Sequence, residues 1–499
     1  MVRIINCNSL KDIKTLPDNS VQMCVTSPPY WGLRDYSLCN CAIKRSSEFE
    51  ASNLTGGQFD PADKRCRLQP RSDCLKCGGT GKIIGTEDQI GLESTPEEYI
   101  DKISTVFREI KRILRPDGIL WLNLGDSRAG SGGEHTDNSG QSGIGVKDRG
   151  RVGVGIGQKK ISNLKPKDMI GIPWRVAFAL QAGYSKCKIC GKELRTDLWP
   201  VWEGIRSCPN CKITDYDSLI ETEKGWYLRQ DVIWSKPNAM PESVNDRCTQ
   251  AHEYIFLLSK SRKYFYDNEA VKEIAEYDGR KDTRMKGSAK YADGFNPVDS
   301  FQSIEIVGHE RWEKNEFGEY LKNRRSVWTV PTKAYNEAHF ATYPEKLVEI
   351  CVKAGTSEKG CCSICGAPWE RVVERMTPTS KSNYGELNNI AKSKGMLGSG
   401  GRSRSGLDQK SEEEKNATYK TVGWKQTCKC QGGKIYQCTV IDPFGGAGTT
   451  ALVANKLSRN AISLEVNKQY CQIQYDRIAE DIGLFVDNID KHIRIEGIQ

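Results

Sequence analysis

The sequence contains no apolar run near the ~18 residues that a membrane span needs, and its first residues lack the apolar stretch of a secretory signal. A cytoplasmic protein with no membrane partner is therefore expected. Charge of one sign is not in large excess either. Lys and Arg number 73 against 64 Asp and Glu, a net +9. That balance permits a polyanionic partner without demanding one. No segment repeats periodically. Core-forming residues are not scarce: 37% hydrophobic and 27% charged residues exclude a wholly disordered chain and a collagen-like one. The 499 residues amount to roughly three domains, or to one catalytic domain with large insertions.

Cysteine is abundant, with 20 residues, many in CxxC or CxC pairs. In a reducing compartment such pairs point to metal rather than to disulfides. Cys187-x2-Cys190 and Cys208-x2-Cys211 have the spacing of a four-cysteine zinc ribbon. Cys74-x2-Cys77 pairs best with Cys39-x-Cys41, with Cys66 as a rival ligand. Cys362-x2-Cys365 pairs best with Cys428-x-Cys430, with Cys361 and Cys438 spare. About three closed, four-thiolate structural zinc sites are expected, none with the open position of a catalytic zinc. Cys7, Cys24, Cys248, Cys351 and Cys471 lie in core-like segments and read as buried thiols.

Along the chain, "VRIIN", "SLKDIKTL" and "VQMCVT" read as strand, helix and strand, and residues 37–89 form a Cys-rich insertion. Residues 95–114 carry an apolar stripe at 3-4 spacing, from Tyr99 and Ile100 to Ile113 and Leu114. Thr95 is the natural cap, Pro96 suits the first helical position, and Glu98 completes a capping box. Asp117-Gly118 turns the chain into "ILWLNL", a buried strand. This α/β alternation predicts a parallel sheet. A glycine-rich loop at 127–160 precedes a helix ending at Gly183. A second Cys-rich insertion covers 185–224. Strands 227–234 and 253–259, a polar region at 271–335 and a helix at 343–355 follow. Residues 357–437 form a third insertion, with a Ser/Gly/Lys-rich middle expected to be partly disordered. The last part reads strand, glycine-rich turn, helix, strand, helix.

Two motifs carry chemistry. In "IDPFGGAGTTALVANKL" a buried strand ends at Asp442, and Gly445, Gly446 and Gly448 allow a tight turn and close approach of a ligand. The helix from Thr449 points free N–H groups into the site. Glu465 ends the next strand, placed to take both hydroxyls of a ribose. In "TSPPYW" the turn Ser27-Pro28-Pro29-Tyr30 follows a strand. Its prolines remove two donors, so the exposed groups are mainly acceptors, suited to an amino group. Tyr30 and Trp31 offer flat faces for a base.

Together these motifs resemble the S-adenosylmethionine-dependent DNA amino-methyltransferases. The order, Ser-Pro-Pro-Tyr first and glycine turn last, is similar to the β class. The similarity covers 1–36, 90–126, 166–184, 225–270, 336–356 and 438–480. It implies a Rossmann-like methyltransferase sheet with permuted motif order and zinc-ribbon-like insertions. Core segments would be 1–36 (the target-base half), 90–184, 225–270, 336–356 (closing over the cofactor) and 438–499 (the cofactor half). Residues 271–335 take the place of the family's target-recognition region. By the resemblance, Asp442, Phe444, Gly446, Gly448 and Thr449 would line the methionine part of S-adenosylmethionine, and Glu465 would hold its ribose. Phe340 and Pro344 would cover the far side. Asn8 stands where the family usually has an aspartate for the adenine amine. Ser27, Pro28, Pro29 and Tyr30 would hold a base flipped out of double-stranded DNA. Serine at the head of that turn resembles the cytosine-N4 enzymes; aspartate there is more typical of adenine-N6 enzymes, which stay the alternative. No Pro-Cys nucleophile of the ring-carbon methylases occurs. A cognate restriction endonuclease is a partner the family allows. A zinc-bearing DNA-binding protein with a dead core is the alternative of another class. The insertions would staple long excursions or add DNA contacts. "KNRRSVW" (322–328) is the one dense basic cluster of the recognition region and a candidate phosphate contact.

Overall fold

A computed structural model describes residues 1–7, 12–31, 89–129, 164–165, 167–202, 205–212, 219–274, 313–314, 320–333, 343–376, 418–483 and 489–497. The chain forms two compact units. One comprises Met1–Asp267, Arg325–Trp369 and Gln426–Gln499, the other Asn268–Arg324 and Glu370–Lys425.

The first unit is built on a nine-stranded sheet. Its strands are β1 (Val2–Asn6), β2 (Val21–Thr26), β3 (Leu114–Leu124), β4 (Tyr227–Ser235), β5 (His252–Ser259), β6 (Val327–Thr329), β7 (Thr439–Asp442), β8 (Asn460–Glu465) and β9 (Ile493–Glu496). They lie in the order β6-β4-β5-β3-β2-β7-β8-β1-β9. Only β5 runs against its neighbours; the other pairings are parallel. Parallel strands buried on both faces read as continuous apolar runs, and all six residues of β2 are buried.

Among the described residues, five helices cover the sheet: α1 (Pro96–Ile113), α2 (Ile172–Ala182), α3 (Glu345–Gly355), α4 (Thr449–Lys456) and α5 (Lys468–Ile482). The α1 stripe is buried, with Tyr99, Ile103, Val106, Phe107, Ile110 and Ile113 all without exposure. Burying each such side chain contributes about 1.5–3 kcal/mol. Its cap is reciprocal: Glu98 N donates to Thr95 Oγ1 at 3.2 Å, and Ser94 N donates to Glu98 Oε2 at 3.0 Å. Alternate residues of a strand face opposite sides. Cys24 faces the cluster that α1 and α2 share, whereas Met23 lies under Gly355 of α3, where an added Cβ would come within 2.6 Å of its sulfur. The unit is thus three-layered.

Three readings change in detail. Between Val21 and Met23 of β2 the partner residues jump from Leu114 to Ile119. Residues 115–118 therefore bulge out of one strand instead of forming a turn before it. Within the described residues, the helix expected over "SLKDIKTL" is a single 3-10 turn, Ile13–Thr15. Cys24, Cys351 and Cys471 are buried and Cys7 partly so, but Cys248 is exposed, because it lies on the loop from β4 to β5 and not in a strand.

The second unit holds a five-stranded sheet in the order Glu273–Ile274, Tyr320–Lys322, Glu313–Lys314, Thr418–Gln426, Trp369–Met376. Two excursions far apart in sequence therefore make one body. Arg371 lies 4.5 Å from the Trp424 ring centroid and bonds Thr421 Oγ1 at 3.0 Å. Among the described residues, no helix is long and apolar enough to cross a membrane.

Candidate active site

The strand order reverses between β2 and β7. From β7 the chain proceeds through α4 to β8 on one side, and from β2 through α1 to β3 on the other. Ligands of open α/β sheets bind at such a point, beyond the carboxyl ends of the strands. Met23 pairs with Val440 and Cys24 with Ile441, so the two motifs leave the sheet side by side. A hydrogen bond joins them: Thr26 Oγ1 donates to Asp442 Oδ1 at 2.6 Å, across 416 residues of chain.

Asp442 is buried, and protein donors occupy both its oxygens. Oδ1 also accepts from Phe444 N at 3.0 Å. Oδ2 accepts from Thr450 Oγ1 at 2.6 Å and from Tyr343 OH at 3.1 Å, and the two hydroxyl oxygens lie against each other. Burial pushes its carboxyl above the ordinary range and these donors oppose the shift. Its geometry is that of an organiser tying β2, β7, α4 and the entry to α3. Pro344 lies beside Tyr343 and caps α3.

The glycines of the turn divide by role. A Cβ at Gly445 would meet Ser463 Oγ at 2.0 Å, and one at Gly448 would meet Gln474 Cγ at 2.7 Å; both are needed for packing. At Gly446, φ is +50° and an added Cβ would meet nothing nearer than 3.9 Å, so its backbone borders open space. Gly448, at φ +77°, caps α4, and Thr449 opens that helix. Phe444 packs edge-on against Phe107 at 6.5 Å. Glu465 closes β8 and accepts from Gly446 N and Asn467 N, each at 2.8 Å. Burial pushes its carboxyl up to about 7 against those two donors. Two residues of α5 brace the turn: Gln474 Nε2 donates to Gly446 O at 3.0 Å, and Arg477 Nη1 to Ala447 O at 3.1 Å and Thr449 Oγ1 at 2.9 Å.

The Ser-Pro-Pro-Tyr turn is equally built in. Pro29 O accepts from Tyr99 OH at 2.9 Å. The Tyr30 ring lies on the Gly125 backbone, where a Cβ would come within 2.6 Å of it. Tyr30 OH donates to Glu253 Oε2 at 2.6 Å. Asn123 Nδ2 lies 2.8 Å from Tyr30 OH, 2.9 Å from Glu253 Oε2 and 3.2 Å from Ser27 Oγ. Lys236 Nζ pairs with Glu253 Oε1.

Sequence reasoning missed Asn123, Lys236, Glu253, Tyr343, Gln474 and Arg477. Some signals existed. Asn123 is the one polar residue of "ILWLNL", and Gln474 and Arg477 stand at i and i+3 on one helix. Asn8, Phe340, Cys39, Cys41, Cys66, Cys74 and Cys77, and the glycine-rich loop from residue 130 on, lie outside the described residues. In the basic cluster, Lys322 pairs with Glu273 at 3.5 Å and Arg324 Nε bonds Val271 O at 2.8 Å, both internal uses.

Among the described residues, the structure gathers two thiol sets. The sulfurs of Cys187, Cys190, Cys208 and Cys211 lie within 4.8 Å of one another, as do those of Cys362, Cys365, Cys428 and Cys430. In the first set, Cys187–Cys211 and Cys190–Cys208 are 3.6 and 3.5 Å apart. Zn–S bonds of about 2.3 Å in a tetrahedron set the sulfurs about 3.8 Å apart, so the donor set fits zinc. After each CxxC a left-handed residue closes the knuckle: Gly191 (φ 72°), Lys212 (φ 55°) and Gly366 (φ 70°). Their N–H groups bond back to Cys187, Cys208 and Cys362 O at 3.0, 2.8 and 2.7 Å. The second set lies near the amino ends of the central strands, opposite the ends from which the glycine turn leaves. Gln22, near the start of β2, bonds Gly366 O at 3.2 Å and accepts from Thr439 N, the first residue of β7, at 2.7 Å.

Comparison with known proteins follows the same lines. A family model described as DNA methylase matches residues 21–362 and 437–476. The Type II methyltransferase M.Cfr9I of Citrobacter freundii is 32% identical over 349 residues, covering 70% of this chain and 71% of its own. The Type II methyltransferase M.SmaI of Serratia marcescens is 27% identical over 476 residues, covering 95% of this chain and 90% of its own. Among solved structures, PvuII DNA methyltransferase (cytosine-N4-specific) aligns with 98% of this chain and 88% of its own, at 13% identity and a TM-score of 0.40. With the family model matched over well more than half its length, the chain belongs to the N6/N4 DNA methylase family.

Proposed function

We propose that this chain methylates the exocyclic N4 amine of cytosine in double-stranded DNA, with S-adenosylmethionine as donor. The observation that carries the reading is the meeting of the two turns at the strand-order reversal, tied by Thr26 and Asp442. Ser27 at the head of the Pro-Pro turn favours cytosine over adenine. For the cofactor, the open backbone at Gly446 and the Glu465 carboxylate at the end of β8 beside it fit a ligand with a ribose to bind. Gly446, Gly448, Thr449 and Glu465 would hold it. When bound, it supplies a methyl group on a sulfonium.

The chain's own part is positioning and electrostatics. An exocyclic amine is a poor nucleophile while its lone pair is delocalised into the ring. Ser27 Oγ and the Pro28 carbonyl would accept its two hydrogens, which favours a pyramidal nitrogen with a localised lone pair. The base must leave the duplex to reach them.

The two thiol sets carry a second part of the reading: each holds a structural zinc with four sulfur ligands. The Cys39, Cys41, Cys74 and Cys77 group would supply a third. The chain leaves the first unit after Trp369 and returns at Gln426, so the second set closes the neck of that excursion.

Nucleoside mass spectrometry after incubation with unmethylated DNA and S-adenosylmethionine tests the function. N4-methylcytosine is expected. N6-methyladenine alone would establish the adenine alternative, and no methylated base would favour a DNA-binding protein without activity.

A further inference from the structure

We propose that Glu253 is a positioning residue that makes Ser27 a hydrogen-bond acceptor; this rests on the reading of Ser27 as the group that takes an amine hydrogen. An ionised carboxylate only accepts. Glu253 is held in that role by Lys236 on Oε1, and their side chains are 14% and 18% exposed. Its Oε2, 2.6 Å from Tyr30 OH, therefore takes the single hydroxyl hydrogen of Tyr30.

The direction then propagates. With its hydrogen committed, the Tyr30 oxygen can only accept from Ser27 Oγ at 3.3 Å, so the Ser27 hydrogen turns toward Tyr30. Glu253 also orients the Asn123 amide, because Oδ1 in place of Nδ2 would set one acceptor 2.9 Å from another. Asn123 Nδ2, whose two hydrogens are shared among Tyr30, Glu253 and Ser27 Oγ at 3.2 Å, can thereby only donate toward Ser27. Ser27 thus gives its hydrogen inward to Tyr30 and offers the substrate amine lone-pair density and no hydrogen. Without the charge, both Tyr30 and Asn123 could reverse, and Ser27 could present a hydrogen to a group that is itself a donor. Neither Glu253 nor Asn123 needs to touch the base.

The test uses the full-length protein, enzymatically amplified unmethylated genomic DNA and radiolabelled S-adenosylmethionine. Glu253→Gln should slow single-turnover methyl transfer about 10- to 100-fold, the worth of a hydrogen bond to a charged group. Cofactor and DNA dissociation constants should stay within about threefold. Glu253→Asp, which keeps the charge, should recover part of the rate. Tyr30→Phe keeps the ring on Gly125 but breaks the relay, and should itself slow transfer. The double variant should be much less impaired than the product of the two single effects, since both act through one chain of bonds. Wild-type rates in Glu253→Gln, or fully multiplicative effects, would overturn the inference alone. If Glu253→Gln fails to bind cofactor, the residue is structural and the inference also falls. No methyl transfer by the wild type would overturn the functional reading and take this inference with it.

Discussion

Glu465 should make cofactor binding depend on pH. Its carboxyl sits at about 7, raised by burial, and accepts two backbone N–H bonds at 2.8 Å. Hydroxyl groups of a ribose would donate to the ionised form, so binding selects the carboxylate. With a pKa near 7, about a tenth of the unliganded sites are ionised at pH 6 and about nine-tenths at pH 8. Affinity for S-adenosylmethionine should therefore rise about tenfold between those pH values, and binding near pH 7 should release about half a proton per site. Glu465→Ala should weaken binding about 10- to 150-fold at pH 8, the loss of a charged hydrogen bond worth about 1.5–3 kcal/mol. Glu465→Gln should be little better, because one amide oxygen must serve two backbone donors while its NH2 faces the other. Calorimetry in buffers of different ionisation enthalpy reads both affinity and proton count. The same shift has a sign in the unliganded fold. The unfolded group ionises near 4.5 and the folded one near 7, so the stability it contributes at low pH is lost as pH rises through that window. A wild-type affinity flat from pH 6 to 8, or an unchanged affinity in Glu465→Ala, would refute the assignment of Glu465 to the cofactor.

Other outcomes are expected. Ser27→Ala should keep cofactor affinity by calorimetry and lose turnover in a single-turnover assay; a wild-type rate would make the turn structural. Arg477→Met should lose the bonds to Ala447, Thr449 and Glu345, costing about 1–3 kcal/mol in thermal or denaturant unfolding and loosening cofactor binding. Thr95→Ala should cost about 0.5–2 kcal/mol by removing the α1 cap, with no change in either dissociation constant. Elemental analysis of untagged protein should find about three zinc ions per chain, and chelation should loosen the insertions before the cofactor pocket. Less than one equivalent, with the thiols freely titratable in the native protein, would remove the zinc reading.

The sheet was legible where burial is two-sided and therefore written as apolar runs. "VQMCVT", "ILWLNL" and "NAISLE" stand as strands within a residue or a few of their expected bounds, and α1 shows its stripe and cap directly. Pairing order is not written locally, because nothing in "VQMCVT" names β7 as its neighbour. The strands of the second unit are two to nine residues long and polar, with no period to read. The site divided in the same way. Ser27, Gly446 and Glu465 belong to compact motifs. Asn123, Glu253, Gln474 and Arg477 act from separate elements that only the tertiary fold brings to the turns. Asp442 was visible as part of its motif, but not as a carboxylate whose oxygens the protein itself consumes.

The seam between β2 and β7 also governs how the molecule can be made. Every ribosome delivers β1 and β2 first and their partners last: β1 lies between β8 and β9, and β2 has β7 on one side. Until residue 439 emerges, the all-buried strand Val21–Thr26 has an unpaired edge, and β1 has no partner at all. Such an edge is a template for pairing with another chain, and closing so long a loop is slow. The nascent protein thus makes everything from β3 to the end of α3 with these two strands open. A chain cut short before β7 would lack both the glycine turn and the cover for those edges, so truncation should yield aggregate and not a partial enzyme.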